Sequence, residues 1–333
     1  MSYSVTIKPS NHQFQCESNE SVLEAALRSG INLSYHCATG SCGECRARIV
    51  EGETADYRHH DYVISEAEKI ARTVLLCSVV ANSDLVIEAH EAMEAKDIPL
   101  QRISVKVAKI DMPNPMNLIL HLRTPRSRTL RFLAGQYIKV HFGAGQQGYY
   151  YVASCPCNGM IIQLHLQHSD PGQNASPLHS LKAGDALEIE GPFGEFTLDE
   201  VSRRPIVMVA QGTGFAPMKS LIEHAIALDL PQAMHLFWLV EQGQDHYQAN
   251  YCRSWEDALD CFIYRPLHLD KNENGQVDYI GATDYVLGRS PVESEIDLYL
   301  VGPSAMLQTF SQRFMHKGTP ESRIHVSNIQ HEL

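Results

Sequence analysis

Val209-Ala210-Gln211-Gly212-Thr213-Gly214-Phe215-Ala216-Pro217 runs an apolar strand through small residues straight into a helix. Proline in the first helical turn loses only an N–H that would have no helical partner. Such a turn sets backbone N–H groups and a helix dipole at the carboxyl end of a strand. Open α/β sheets bind phosphates there, although glycines at a βα turn also serve purely structural ends. Around this stretch, residues 205–210, 235–240 and 296–301 read as strands, and 216–228, 248–258 and 304–316 as helices. Alternating β and α implies a doubly wound parallel sheet over residues 203–333.

Upstream, the pattern changes. Residues 104–110, 117–123, 137–141, 149–154 and 161–166 are short β-type runs separated by turn residues. They predict an antiparallel barrel or sandwich over 101–202, with a helical turn at 176–182. Gly143-Ala144-Gly145-Gln146-Gln147-Gly148 spells G-x-G-x-x-G, but another strand follows it instead of a helix. It is read as a hairpin loop, because no helix N-terminus is available to a pyrophosphate.

Residues 1–92 read as a small α+β unit, joined to the rest by a polar linker at 93–100. Residues 4–7 alternate as a strand, and Ser21-Val22-Leu23-Glu24 has capping-box spacing before a helix closed by Gly30. Strands are expected at 46–50, 73–79 and 85–88, and a helix at 65–71. Cys37, Cys42 and Cys45 form C-x4-C-x2-C, with Cys77 further on. That is the plant-type spacing for a [2Fe–2S] cluster; a zinc site more often pairs two short hooks of two cysteines each. Cys16, Cys155, Cys157, Cys252 and Cys261 read as ordinary thiols, and Cys155-Pro156-Cys157 is too tight for a redox C-x-x-C.

The 333 residues hold 27 basic and 39 acidic side chains, a net charge of −12. That balance argues against nucleic acid and anionic membrane as partners. No apolar run approaches the ~20 residues of a membrane span. With no signal peptide visible and an odd number of cysteines, nine, a cytoplasmic location is expected.

Taken together, the chain resembles the ferredoxin–NADP reductase superfamily. It is most similar to reductase components of multicomponent oxygenases that carry an N-terminal plant-type ferredoxin. The resemblance rests on the cysteine loop, Leu133-Ala134-Gly135-Gln136-Tyr137, Pro171-Gly172-Gln173-Asn174-Ala175-Ser176, Gly191-Pro192-Phe193-Gly194-Glu195-Phe196, the Gly212 turn and Val301-Gly302-Pro303. It implies a ferredoxin unit of β-grasp type, a flavin-binding β-barrel and a nucleotide domain, using [2Fe–2S], FAD and NADH. Electrons would pass from NADH to FAD to the cluster, and then to a terminal oxygenase or its ferredoxin.

The resemblance also implies site residues. Cys37, Cys42, Cys45 and Cys77 hold the cluster. Tyr150, Tyr151, Val152, Ala153 and Ser154 follow the flavin motif, with Leu166 and Gln167 on the next strand. Gly172, Asn174, Ala175 and Ser176 form the flavin-phosphate segment. The nucleotide falls to Gly212, Thr213, Gly214, Ala216 and Pro217, to Glu241 and Tyr247, and to Gly302, Pro303 and Met306. Tyr150, Tyr151 and Thr213 stand at the reacting centre. Three positions depart from the family pattern. Gly148 replaces the flavin-motif arginine, Tyr151 its hydroxyl residue, and Val301 the cysteine of C-G-P. Arg123, Arg126, Arg128 and Arg131 are the cations nearest in sequence that could replace the arginine. Two alternatives stay open: a reductase for a radical or sugar-deoxygenating dehydratase, and an electron-transfer binding protein with a vestigial flavin site.

Overall fold

The computed structural model describes residues 1–59, 64–126, 128–143, 145–167, 180–272 and 274–328. The first sheet has the spatial order Gln13–Glu17, Ser2–Lys8, Leu85–Glu88, Arg46–Glu51, Thr73–Leu75. Its two central strands, Ser2–Lys8 and Leu85–Glu88, run parallel, and the outer pairings are antiparallel. Helix Val22–Arg28 crosses this sheet, started by the Ser21–Glu24 capping box. Val22, Leu23, Ala25 and Ala26 are its buried residues, and they pack with Val5, Ile7 and Ile87. The predicted 73–79 strand is two strands: Thr73–Leu75 joins the main sheet, and Val79–Ala81 pairs with Thr54–Asp56. The turn between them holds Cys77.

The second sheet is antiparallel throughout, ordered Gln146–Tyr151, Tyr137–Gly143, Ala186–Phe193, Gln101–Asn114, Asn117–Arg123, Ile161–Gln167. A bridge between Val152 and Leu164, and the Ala153 amide donating to the Gln163 carbonyl at 2.7 Å, join its first strand to its last. The sheet is therefore a closed barrel. Gly143 and Gly145 take φ of 90° and 78° at the hairpin, the left-handed geometry for which glycine is suited. Strand Ala186–Phe193 was not predicted, although Leu187 and Ile189 point to the core while Glu188 and Glu190 alternate outward. The helical turn expected at 176–182 falls largely outside the described residues.

The third sheet is parallel, ordered Phe262–Leu269, Met234–Glu241, Ile206–Gln211, Asp297–Val301, Ile324–Ser327. Helices Phe215–Ala227, Ala249–Ala258, Tyr279–Leu287 and Ser304–His316 connect successive strands. The order reverses between Ile206–Gln211 and Asp297–Val301, so the crevice for a ligand opens where Gly212 and Gly302 follow these strands. Strand Phe262–Leu269 escaped the sequence reading because Pro266 interrupts it; it lies at the sheet edge, where a missing N–H is tolerated. No helix among the described residues is long and apolar enough to cross a membrane.

Candidate functional site: a thiol loop and an interdomain cleft

The cysteine loop is built by backbone geometry. Ala38, Gly40 and Gly43 take φ of 50°, 81° and 80° and wind the chain around its own sulfurs. The Thr39 and Cys42 amides donate to Cys37 Sγ at 3.4 and 3.3 Å, and the Glu44 amide reaches Cys42 Sγ at 3.5 Å. Cys77 arrives from the distant turn, and Cys45 Sγ donates to Cys77 Sγ at 3.3 Å. Cys37, Cys45 and Cys77 are buried, and Cys42 is half-buried. Arg46 Nη1 donates to the Gly43 carbonyl (2.7 Å) and Arg58 Nη1 to the Ala38 carbonyl (2.8 Å), bracing the loop from outside.

The loop lowers the pKa of two of its thiols, Cys37 and Cys77, and raises the other two; burial raises Cys42. Burial pushes the Cys37 thiol up, but bonds from Thr39, Ser41 and Cys42 outweigh it and bring the group down to about 5. The bond from Cys45 brings Cys77 down to about 6 and drives Cys45 up. Four soft donors with N–H groups aimed at sulfur fit an iron–sulfur cluster. Among the described residues, no three His, Cys, Asp or Glu side chains stand together as one metal ion needs.

A cleft of about 410 Å³ lies between the barrel and the parallel sheet. The barrel contributes Tyr151, His165 and Gln167, and the sheet Gly212, Thr213, Gly214, Glu241, Gly302 and Pro303. The turn approaches its neighbour closely: a Cβ on Gly214 would lie 2.8 Å from the Val301 carbonyl oxygen. Trp238 Nε1 donates to the Gly212 carbonyl at 2.9 Å and stacks on Phe215 at 4.0 Å, fixing the turn from below. A backbone cradle at a helix start suits a diphosphate. Glu241 ends its strand exposed at the cleft. Ala216 and Pro217 are buried in the first helical turn, and Met306 is buried beneath Gly302.

The flavin-motif residues are separated by strand alternation. Tyr151 faces the cleft and donates from Oη to Ser327 Oγ at 2.8 Å. Tyr150 faces the other way, into the barrel core with Ile138, Val140 and Val152. Its ring lies over Gly148, where a Cβ would be 2.6 Å from Tyr150 Oη. Burial pushes the Tyr150 phenol up to about 12. Tyr150 is therefore not brought to the cleft. The glycine at 148 has a local reason: the neighbouring tyrosine fills the space.

Val152 and Ala153 are buried, and Ser154 Oγ accepts from the Gln163 amide at 3.2 Å. The carbonyls of Ala153 and Ser154 accept from Lys219 Nζ (3.1 Å) and Ser220 Oγ (2.8 Å) of helix Phe215–Ala227. Lys219 also pairs with Glu223 at 2.6 Å, and Glu223 accepts from the Cys155 amide at 3.1 Å. These polar groups fasten barrel to nucleotide unit. Leu166 points into the barrel core and Gln167 into the cleft. Tyr247 Oη lies 2.9 Å from His165 Nδ1. Gly172, Asn174, Ala175 and Ser176 lie outside the described residues.

One expectation is corrected. Cys155 and Cys157, read as ordinary thiols, are bonded to each other. Arg131, one of the four arginines named as able to replace the flavin-motif arginine, turns to the first unit. Its Nη2 is 3.5 Å from Ser34 Oγ, and its guanidinium lies 5.9 Å from the Tyr35 ring. Arg126 and Arg128 are exposed. The sequence reading missed His165, Gln211, Gln244 and Asn328 in the cleft wall. His165 carried one signal, a polar residue between the inward Leu164 and Leu166. It also missed Lys219 and Glu223, whose i,i+4 spacing places them on one helix face.

Comparison with known proteins agrees with this construction. Residues 5–82 match the 2Fe-2S iron-sulfur cluster binding domain family, 105–198 the oxidoreductase FAD-binding domain and 208–312 the oxidoreductase NAD-binding domain. The chain is 31% identical over 287 residues to the terephthalate 1,2-dioxygenase reductase component 2 of Comamonas sp, covering 86% of this chain and 85% of that one. It is 30% identical over 328 residues to the CDP-6-deoxy-L-threo-D-glycero-4-hexulose-3-dehydrase reductase of Yersinia pseudotuberculosis, covering 97% of each. The solved structure of the Amycolatopsis cytochrome P450 reductase GcoB shares the fold, with a TM-score of 0.62, 23% identity and 98% coverage of both chains. The chain therefore belongs to the ferredoxin–NADP reductase superfamily, among the oxidoreductases that join a plant-type [2Fe–2S] ferredoxin, an FAD-binding barrel and an NAD-binding domain in one polypeptide.

Proposed function

We propose that this protein is the NADH-dependent reductase component of a multicomponent oxygenase, delivering single electrons to the terminal oxygenase or its ferredoxin from the cytoplasm. The observation that carries the reading is the packing of thiol loop, barrel and nucleotide cleft in one chain. Helix Val22–Arg28 touches the turn Pro156–Asn158, and Glu223 of the nucleotide unit holds the Cys155 amide just before that turn. The bound FAD and cluster supply the conversion of a two-electron donor into one-electron steps. The chain's own residues bind and orient. Gly212, Thr213, Gly214 and Gly302 cradle the nucleotide, Tyr151 walls the cleft, and Glu241 accepts from the ribose 2′-hydroxyl. Cys37, Cys42, Cys45 and Cys77 hold the cluster. Working limits of 1–92, 101–202 and 203–333 divide the three units.

An anaerobic spectrum of purified protein tests this, before and after one equivalent of NADH. Bleaching of both flavin and iron–sulfur absorption supports it. Cluster absorption alone, indifferent to NADH even with added FAD, would promote the vestigial-flavin alternative. A second reading has its own support in the Yersinia relative, which matches 97% of both chains. In that case the electrons serve a sugar-deoxygenating dehydratase. Reconstitution with each partner class separates the two.

A further inference from the structure

His165 carries a ring nitrogen that no group among the described residues satisfies. It stands in the cleft wall at 3% exposure, its ring 6.0 Å from Phe215 at 27°. Nδ1 lies 2.9 Å from Tyr247 Oη, while Nε2 is sealed from solvent and has no hydrogen-bond partner among the described residues. Buried polar atoms of this kind call for a reason, because leaving one unpaired is costly.

The side chain faces away from the barrel core, toward the nucleotide unit. Both its Nδ1 partner and the ring beneath it, Tyr247 and Phe215, come from that unit. Phe215 directly follows the turn Gly212–Gly214. An imidazole nitrogen is a better acceptor than a phenol oxygen, so the Tyr247 hydroxyl donates to Nδ1 and the ring proton sits on Nε2. Burial, assisted by the charges of Lys219 and His121, holds the imidazole well below its ordinary pKa and so neutral.

We propose that His165 is a dinucleotide-binding residue supplied by the barrel, its Nε2–H, covered in the unliganded cleft wall, being uncovered on binding and donating to an acceptor oxygen of NADH seated over Gly212–Gly214. The inference rests on the reductase reading and deepens it. The nucleotide site spans two units and is complete only when they are packed, and the Tyr247 hydroxyl is a positioning group that sets the tautomer.

The test is calorimetric titration of oxidised holoenzyme with NAD+, using H165N and H165Q. An asparagine amide mimics Nδ1 and keeps the Tyr247 contact but has no donor at Nε2. A glutamine amide mimics Nε2. H165N is expected to bind NAD+ about tenfold more weakly, with wild-type iron and flavin contents, while H165Q stays within about threefold. ADP-ribose and nicotinamide mononucleotide locate the acceptor. A loss shared with ADP-ribose places it on the diphosphate or a ribose, and a loss confined to ligands bearing nicotinamide places it on the carboxamide. Unchanged binding by H165N, or weakening by H165Q alone, overturns the proposal and leaves His165 as a fastener for Tyr247. If the wild-type holoenzyme neither binds NAD+ nor is bleached by NADH, the reductase reading itself fails, and this assignment with it.

Discussion

Restoring the family's arginine at position 148 is expected to harm this protein. By sequence alone, Gly148→Arg supplies a charge-assisted bond to the flavin diphosphate, a gain of about 1.5–3 kcal/mol, or roughly 10- to 150-fold in FAD affinity. The structure says otherwise. Gly148 is buried on the barrel's inner face opposite Val140, and a Cβ there would lie 2.6 Å from Tyr150 Oη and 2.9 Å from its ring. The Tyr150 ring would have to leave its edge-on contact with Phe142, 6.0 Å away. Overpacking of this kind costs about 1–3 kcal/mol, and an inward guanidinium adds an uncompensated burial cost. For a barrel of about 100 residues, that is a fall on the order of 10 °C in unfolding temperature. Titration of flavin-stripped protein with FAD, beside thermal unfolding of the same samples, measures both quantities. FAD binding tenfold tighter at unchanged stability would refute the inward placement of residue 148.

Replacing Cys77, the proposed fourth ligand, with Ser should abolish transfer to one-electron acceptors, while Cys16→Ser leaves the cluster spectrum intact; the opposite pattern sinks the ligand set. Glu241→Arg should narrow the preference for NADH over NADPH in steady-state kinetics, and an unchanged ratio means that the residue faces only solvent. Lys219→Met strands Glu223 and the Ala153 carbonyl, and should destabilise the barrel–nucleotide contact by about 3 kcal/mol; in a denaturation series, adding Glu223→Gln should recover part of the loss. Because buried His165 is neutral in the folded state, it takes up a proton on unfolding below about pH 6.5. Stability should therefore fall as pH drops through that value, by at most about 1.4 kcal/mol per pH unit for this group, and His165→Asn should flatten the slope.

Local chemistry was legible in the sequence. The C-x4-C-x2-C spacing with Cys77 pointed to a [2Fe–2S] domain, which the family match to residues 5–82 bears out, because a cluster constrains covalent neighbours in one tight loop. The strand–glycine–helix turn at 209–217 declares a parallel sheet because strand, turn and helix start are contiguous in the chain. The capping box at Ser21 is local for the same reason, and it formed. Tertiary structure alone decided which face each flavin-motif tyrosine takes. A strand turns successive side chains to opposite sides, so matching residues to a motif leaves open whether Tyr150 or Tyr151 meets the cleft; pairing with Tyr137–Gly143 settles it. It also decided that Arg131 serves the first unit, that Lys219 ties helix to barrel, and that His165 meets Tyr247, 82 residues away. Each of these contacts joins chain segments whose approach depends on how closed units pack, and no local periodicity encodes it.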